Sequence, residues 1–264
     1  MKDHWVTLTI GGSDPSGGAG IQADLKTFFS LGLYGASVIT AVTAQNFTNF
    51  SSIQPVKPEI VCNQMVAILE ELPIKAIKTG MLYSAEIIEA VSNILIQYRQ
   101  IPIIIDPVFA ATSGKKLIEE NAIESLKKKL FPLAYLITPN ISEAEILIGE
   151  PLKTRDDIAK CIRELYDQFK KPVLVKGGHL EVAAIDTLFD GEGLRHYTTP
   201  LVQDVNSHGS GCTLASAITA FIAKGKPLRE SVSAAKTFVT QALKNPLKLT
   251  STLHVINHFG FKKP

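Results

Sequence analysis

From Trp5 onward the chain alternates short β-rich apolar runs with amphipathic helical stretches, and it does so almost to its end. "WVTLTI" reads as a strand and "AGIQADLKTFFSLG" as a helix stopped by Gly32. "GASVITAVTAQ" is a second strand, and "PEIVCNQMVAILEEL" a helix opened by Pro58 and closed before Pro73. The order runs on through strand "IKAIKTG", helix "SAEIIEAVSNILIQY", strand "IPIIIDP", helix "NAIESLKKKLF" and strand "AYLITPN". Helices "SEAEILIG" and "TRDDIAKCIRELYDQF" precede strand "KPVLVKGG". The runs "VAAIDTLFDG" and "GLRHYTTPLV" then read as a hairpin, and helices from Gly211 and Leu228 lead to an irregular tail. Strands as continuously apolar as "PIIID" and "PVLVK" suit a sheet covered on both faces. The pattern predicts βαβ units, a mainly parallel central sheet and an α/β, three-layer αβα sandwich. With no linker, repeat or low-complexity segment, residues 1–264 are expected to form one domain.

Charge and cysteine usage exclude several functions. A net charge of +2, with no basic run longer than Lys127–Lys129, argues against a nucleic-acid partner. That run falls near a helix end, where a solvated cationic turn is expected. Cys62, Cys161 and Cys212 are odd in number and lack CxxC spacing. This argues against a disulfide framework or a zinc site and suits a reducing cytoplasm. The start lacks the long apolar stretch of a secretion signal, and no apolar run is long enough for a membrane span.

In open sheets of this kind ligands sit outside the carboxyl ends of the strands, so the residues just after each strand matter most. "GGSDPSGGAG" approaches a Walker spacing, but Gly18-Ala19 stands where Lys-Ser/Thr is required, and it does not fit G-x-G-x-x-G either. Its glycines either reverse the chain or let backbone approach a ligand closely. Asp24, one turn into the following helix, either binds a ligand hydroxyl or amine or simply favours the helix start. Gln45 follows the second strand, with a donor and an acceptor suited to the edge of a heterocycle. Met81 follows the third, where a soft side chain packs in the core or on an aromatic ligand. "IIIDPV" sets Asp106 directly after an apolar run, and "TPNISEAE" puts Asn140 and Glu143 in capping-box spacing. Asp106 and Glu143 follow consecutive β-runs and are expected on one sheet edge. Two carboxylates and an amide there describe a magnesium–phosphate environment. Lys176, leaving "VLVK" before two glycines, either snorkels to solvent or holds a polyphosphate.

"VNSHGSGCTLASAITAFIAKG" opens a helix at Gly209-Ser210-Gly211 and puts Cys212 in its first turn. The amides of Gly209 to Cys212 are expected to form an anion site, and the same positive field to make the thiol partly thiolate. A cysteine-hydrolase elbow would need G-x-C-x-G, which these residues lack, and His208 is expected to face elsewhere. A non-catalytic nucleotide sensor would not need two carboxylates, a lysine and a thiol together.

The runs "TIGGSDPSGGAGIQADLKTF", "SVITAVTAQN", "KTGML", "DPV", "ITPNISEAE", "VLVKGGH" and "NSHGSGCTLASAI" resemble the ribokinase-like superfamily. Within it they are similar to the hydroxymethylpyrimidine/phosphomethylpyrimidine kinases of thiamine biosynthesis. The resemblance implies ATP- and Mg2+-dependent phosphorylation of 4-amino-5-hydroxymethyl-2-methylpyrimidine and then of its monophosphate. It implies that Gln45 reads the pyrimidine edge while Asp24, Met81 and Val108 line the substrate pocket. Asp106, Asn140 and Glu143 would help place magnesium, Lys176 would hold the phosphates, and Gly209, Ser210, Gly211 and Cys212 would form the anion hole. Cys212 stands where many superfamily members have a catalytic aspartate, and is expected to act as base or to position the hydroxyl. Ser207 and Ser210 stand where threonine is usual, Thr79 replaces a common aliphatic residue, and Thr112 sits where lysine is frequent. Pyridoxal kinase is the nearest alternative, since both substrates are hydroxymethyl heterocycles, and a homodimer is implied as well.

Overall fold

A computed structural model of the chain describes residues 5–111, 114–177, 183–203 and 205–259. Its frame is a nine-stranded sheet. The strands are β1 (Val6–Ser13), β2 (Tyr34–Gln45), β3 (Phe50–Pro55), β4 (Ile74–Thr79), β5 (Ile103–Ile105), β6 (Leu136–Ile137), β7 (Val173–Gly177), β8 (Ala183–Phe189) and β9 (Leu194–Pro200). Their order is β3-β2-β1-β4-β5-β6-β7-β8-β9. All pairs from β2 through β7 are parallel, and β3, β8 and β9 join antiparallel at the two ends.

Helices cover both faces. The helices are α1 (Gly20–Ser30), α2 (Pro58–Glu71), α3 (Ala85–Leu95), α4 (Glu120–Ser125), α5 (Ile141–Ile148), α6 (Arg155–Phe169), α7 (Ser210–Ala223) and α8 (Leu228–Lys244). One core joins the sheet to α2–α6, and a second joins it to α1, α7 and α8. The alternation along β5 shows why its sequence is apolar without a break. Ile103 and Ile105 enter the first core while Ile104 enters the second. Val173, Leu174 and Val175 of β7 divide in the same way. The sandwich predicted from the alternation is therefore present.

Two elements depart from the sequence reading. β3 was not expected, because its alternation "FSSIQP" has only Phe50 and Ile53 as apolar positions and both are just partly buried. It forms by antiparallel pairing with β2, a long-range support that local pattern does not record. The tail contains β10 (Leu247–Lys248) paired with β11 (His254–Val255), and Val255 bridges to Asn206 in the loop before α7. The Lys127–Lys129 run lies on a π-helical turn after α4, with Lys128 and Lys129 exposed and paired to Glu124 and Glu89, as a solvated turn should be.

The chain order reverses across β1, which pairs with β2 on one side and β4 on the other. At such a switch the loops leaving the carboxyl ends of neighbouring strands diverge and open a crevice. The residues singled out from the sequence gather there. Among the described residues no helix is long and apolar enough to cross a membrane.

Candidate active site

A cavity of about 680 Å³ opens at this switch, and its lining brings Asp106, Glu143, Lys176 and Cys212 together. Lys176 leaves β7 and its ammonium pairs with Asp106 Oδ1, with Glu143 Oε2 3.9 Å away. Asp106 also accepts a hydrogen bond from Thr138 Oγ1 at 3.0 Å. Burial works against the charge on Lys176, but Asp106 and Glu143 overcome it and hold the lysine above its ordinary pKa. Burial also lifts Glu143, to about 7, against the pull of Lys176 and with a further push from Asp106.

Asn140 and Glu143 form the capping box of α5. The Asn140 amide donates to Glu143 Oε2 at 2.7 Å, and the Glu143 amide to Asn140 Oδ1 at 2.8 Å. The structural role therefore holds for both, yet both still border the cavity. The box fixes the carboxylate rather than removing it from the site.

The first turn of α7 faces Lys176. A Cβ on Gly211 would lie 3.3 Å from Lys176 Nζ, so the missing side chain lets ammonium and helix start meet. Gly209 caps this turn with φ +83°, and its own Cβ would lie 1.9 Å from the Gly18 carbonyl oxygen. Only glycine meets both conditions. The Ser210 amide is already spent on Ser207 O at 2.9 Å. Of the four amides expected to form an anion hole, only those of Gly209, Gly211 and Cys212 have no acceptor among the described residues.

Cys212 corrects a second expectation. The thiol is half-buried at the cavity and its pKa is raised rather than lowered. Burial pushes it up to about 11, with Asp24 and Asp106 adding to the rise and Lys78 opposing it. A helix N-terminus contributes only about 1 kcal/mol to a nearby anion, which the loss of water around the thiol can outweigh. Desolvation wins. The thiol remains protonated near neutral pH.

Asp24 also differs from both roles read for it. Its oxygens are taken by Lys78 (2.9 and 3.0 Å), Thr9 Oγ1 (2.6 Å) and Ser216 Oγ (2.6 Å), so it borders the cavity as half of a buried ion pair. His208 turns to Asp14 and Phe47, away from the thiol, as expected of a residue that is no partner to Cys212. The residue borders the cavity, and its Nε2 lies 2.9 Å from Asp14 Oδ2. Asp14 in turn accepts from the amides of Ser16 and Ala19, both at 2.9 Å, and organises the glycine-rich loop before α1. Burial alone would raise the Asp14 carboxyl, but the His208 contact and these donors hold it below the usual range.

At the other end of the cavity, Gln45 closes β2, half-buried, and its side-chain amide makes no hydrogen bond among the described residues. Met81 packs over Gly12, whose Cβ would lie 2.3 Å from the Met81 methyl, and joins a small apolar wall with Leu117 and Val108. Thr112 lies outside the described residues.

Sequence reasoning missed Lys78, Asp14 and the role of His208. "IKAIKT" carried one usable signal for Lys78, a lysine in phase with Ala76 on a strand buried on both faces. The partners of Asp14 and Lys78 are too distant in sequence for spacing to reveal them.

Comparison with known proteins bears on this arrangement. The phosphomethylpyrimidine kinase family model matches residues 14–257. The chain is 45% identical over 252 residues to the thiamine biosynthesis bifunctional protein ThiED of Geobacter sulfurreducens, covering 95% of this chain and about half (51%) of that longer protein. It is 41% identical to the hydroxymethylpyrimidine/phosphomethylpyrimidine kinase of Aquifex aeolicus, covering 92% of this chain and 96% of that one. Among solved structures, phosphomethylpyrimidine kinase from Clostridium difficile 630 matches with TM-score 0.80 at 42% identity, over 90% of this chain and 99% of that one. An ADP complex of Bacillus subtilis pyridoxal kinase matches with TM-score 0.88 at 34% identity, over 97% and 98%. The fold is ribokinase-like, and the chemistry is that of a phosphotransferase. A match spanning nearly all of the sequence, on a cavity built from lysine, carboxylates and an open helix start, means that this chain belongs to the phosphomethylpyrimidine kinase family.

Proposed function

We propose that the protein transfers the γ-phosphoryl group of ATP to the hydroxymethyl oxygen of 4-amino-5-hydroxymethyl-2-methylpyrimidine. A second transfer, to the monophosphate, gives the diphosphate. The observation that carries this reading is the meeting of Lys176, the open amides of Gly211 and Cys212, and two buried carboxylates in a single cavity. A cationic side chain and a helix start attract a phosphoryl group from two directions.

In the transfer, the substrate oxygen forms a bond to phosphorus as the bond from phosphorus to the ADP oxygen breaks, and the hydroxyl proton passes to an oxygen of the transferred phosphoryl group and on to solvent. Charge stabilisation and alignment supply most of the catalysis in such reactions, with little demand for a strong base. Lys176 and the amides of Gly211 and Cys212 stabilise the charge on the moving group. Cys212, protonated near neutral pH, serves to orient the hydroxyl rather than to carry off its proton. The unpaired amide of Gln45 meets the pyrimidine edge, and Met81 and Val108 pack against the ring.

The donor set fits a hydrated Mg2+. Asp106 and Glu143 are hard oxygen donors, and the described residues hold no group of three His, Cys, Asp or Glu side chains able to bind a metal alone. Mg2+ ordinarily keeps several waters and uses one or two carboxylates together with substrate phosphates, where it neutralises phosphate charge. Asp106 and Glu143 would hold it, with Asn140 fixing Glu143 through the capping box. Three free cysteines fit a cytoplasmic location, and a homodimer is what the family resemblance implies.

The pyridoxal kinases with TM-scores of 0.87–0.88 support a second substrate reading. One experiment separates the two. Purified protein, ATP and Mg2+ are incubated in parallel with the hydroxymethylpyrimidine, its monophosphate and pyridoxal, and products are identified by mass. Mono- and diphosphate from the pyrimidines are expected. Phosphorylation of pyridoxal alone would overturn the pyrimidine assignment.

A further inference from the structure

The ion pair between Asp24 and Lys78 takes no part in the scheme above, yet it lies close to the thiol. Lys78 comes from β4 and Asp24 from α1, and each side chain is 1% exposed. Asp24 receives both the Lys78 ammonium and the Ser216 hydroxyl. Ser216 is one turn beyond Cys212 on the same face of α7, so the carboxylate ties the lysine to the helix turn that carries the thiol. The Gly20 amide, four residues before Asp24 on α1, also reaches Cys212. Gly80 passes close to the ammonium, since a Cβ there would lie 2.9 Å from Lys78 Nζ. Lys78 and Gly80 both border the cavity, so the cationic group stands at its wall.

Stability alone is a poor reason for this arrangement. A buried ion pair can often be replaced by apolar residues of similar volume without loss, because each charge must be stripped of water. Besides Asp24, the carboxylate that most influences Lys78 is Asp106, and the Cys212 thiol lies close to the same ammonium, both at the proposed reaction site. Lys176 faces that site from the β7 side and Lys78 from β4. Two fixed cations thus bracket the place where negative charge grows as phosphoryl is transferred.

We propose that Lys78, gripped by Asp24, is a positioning residue for phosphoryl transfer: its ammonium is the fixed positive charge close to Cys212, and the Asp24–Ser216 bond aligns the helix turn holding the thiol. The inference rests on the kinase reading, and the wild-type assay is its control.

The decisive variant is the pair Asp24→Asn with Lys78→Met, which removes both charges at similar volume. Lys78→Met alone would leave a buried carboxylate unpaired and destabilise the fold. If the pair were only structural, the neutral double variant would regain both stability and turnover. The expected result is a folded protein with KM for ATP within about twofold of wild type and kcat lowered by about tenfold or more. A smaller fall in kcat overturns the inference. Should the double variant fail to fold, Ser216→Ala decides, because it deletes one hydroxyl from a helix and keeps both charges. Some loss of Tm is expected from the missing hydrogen bond; a fall in kcat of about threefold or more at unchanged KM for ATP, in protein still folded at the assay temperature, supports the alignment role, and a smaller fall refutes it. Wild-type protein inactive on both pyrimidines would overturn the functional reading and this inference together. An active wild type with equally active variants overturns this inference alone.

Discussion

Gly209→Ala tests the geometry at the mouth of α7. At φ +83° an alanine pays a backbone penalty of about 1–2 kcal/mol. Its Cβ would also lie 1.9 Å from the Gly18 carbonyl oxygen, where real contacts stay beyond 3.0 Å. Either the glycine-rich loop or the start of α7 must therefore move by about 1 Å, and displacements of about that size at a reacting centre cost roughly 100-fold in rate. Gly225→Ala is the internal control. Its φ is +80°, it has nothing within 4 Å, and it follows the far end of the same helix, roughly 20 Å away. Both variants should lose Tm through the shared backbone penalty, about 2–4 °C per kcal/mol in a chain of this size, and Gly209→Ala should lose more because its clash adds to it. Only Gly209→Ala should lose kcat/KM, by about 100-fold. The assay is ADP release with the hydroxymethylpyrimidine, with thermal denaturation alongside. Near-wild-type kinetics in Gly209→Ala, or equal kinetic losses in the two variants, would refute the reasoning.

Glu143 makes stability depend on pH. Its folded value of about 7 exceeds the ordinary 4.5, so between these values the folded chain holds a proton that the unfolded chain has lost. The contribution is fully present below pH 4.5 and disappears as pH rises through 7. Glu143→Gln, which can still complete the capping box, should flatten that slope in magnesium-free denaturation curves; an unchanged slope would contradict the assignment. Cys212 should react with iodoacetamide at pH 8 about 100-fold more slowly than a thiol of ordinary pKa 9.0, because its value is near 11. Peptide mass spectrometry reads this out, and rapid labelling would restore the thiolate expectation. Thr79 Oγ1 is buried with no hydrogen-bond partner among the described residues, so Thr79→Val should raise Tm, gaining about 1 kcal/mol. A lower Tm would mean that the hydroxyl is satisfied after all.

Much of this protein was legible before any coordinates. The alternation of runs determined the layers, and continuous stretches such as Ile103–Ile105 determined that both faces of the sheet would be covered. Because a parallel sheet sends its strand ends to one edge, Asp106, Glu143 and Lys176 could be read as neighbours from their position after β-runs alone. The Asn140–Glu143 capping box was equally visible, since both partners lie within one helical turn.

Tertiary structure decided the rest, because it depends on partners that local spacing does not encode. Lys78 finds Asp24 across 54 positions and His208 finds Asp14 across 194, so neither pair leaves a periodic trace. The protonation of Cys212 is the sharpest case. Its place at a helix start favoured a thiolate, but burial beside Asp24 and Asp106 reversed the sign. A sequence can place a group on an element, whereas its charge follows from how much water the packed neighbours leave around it.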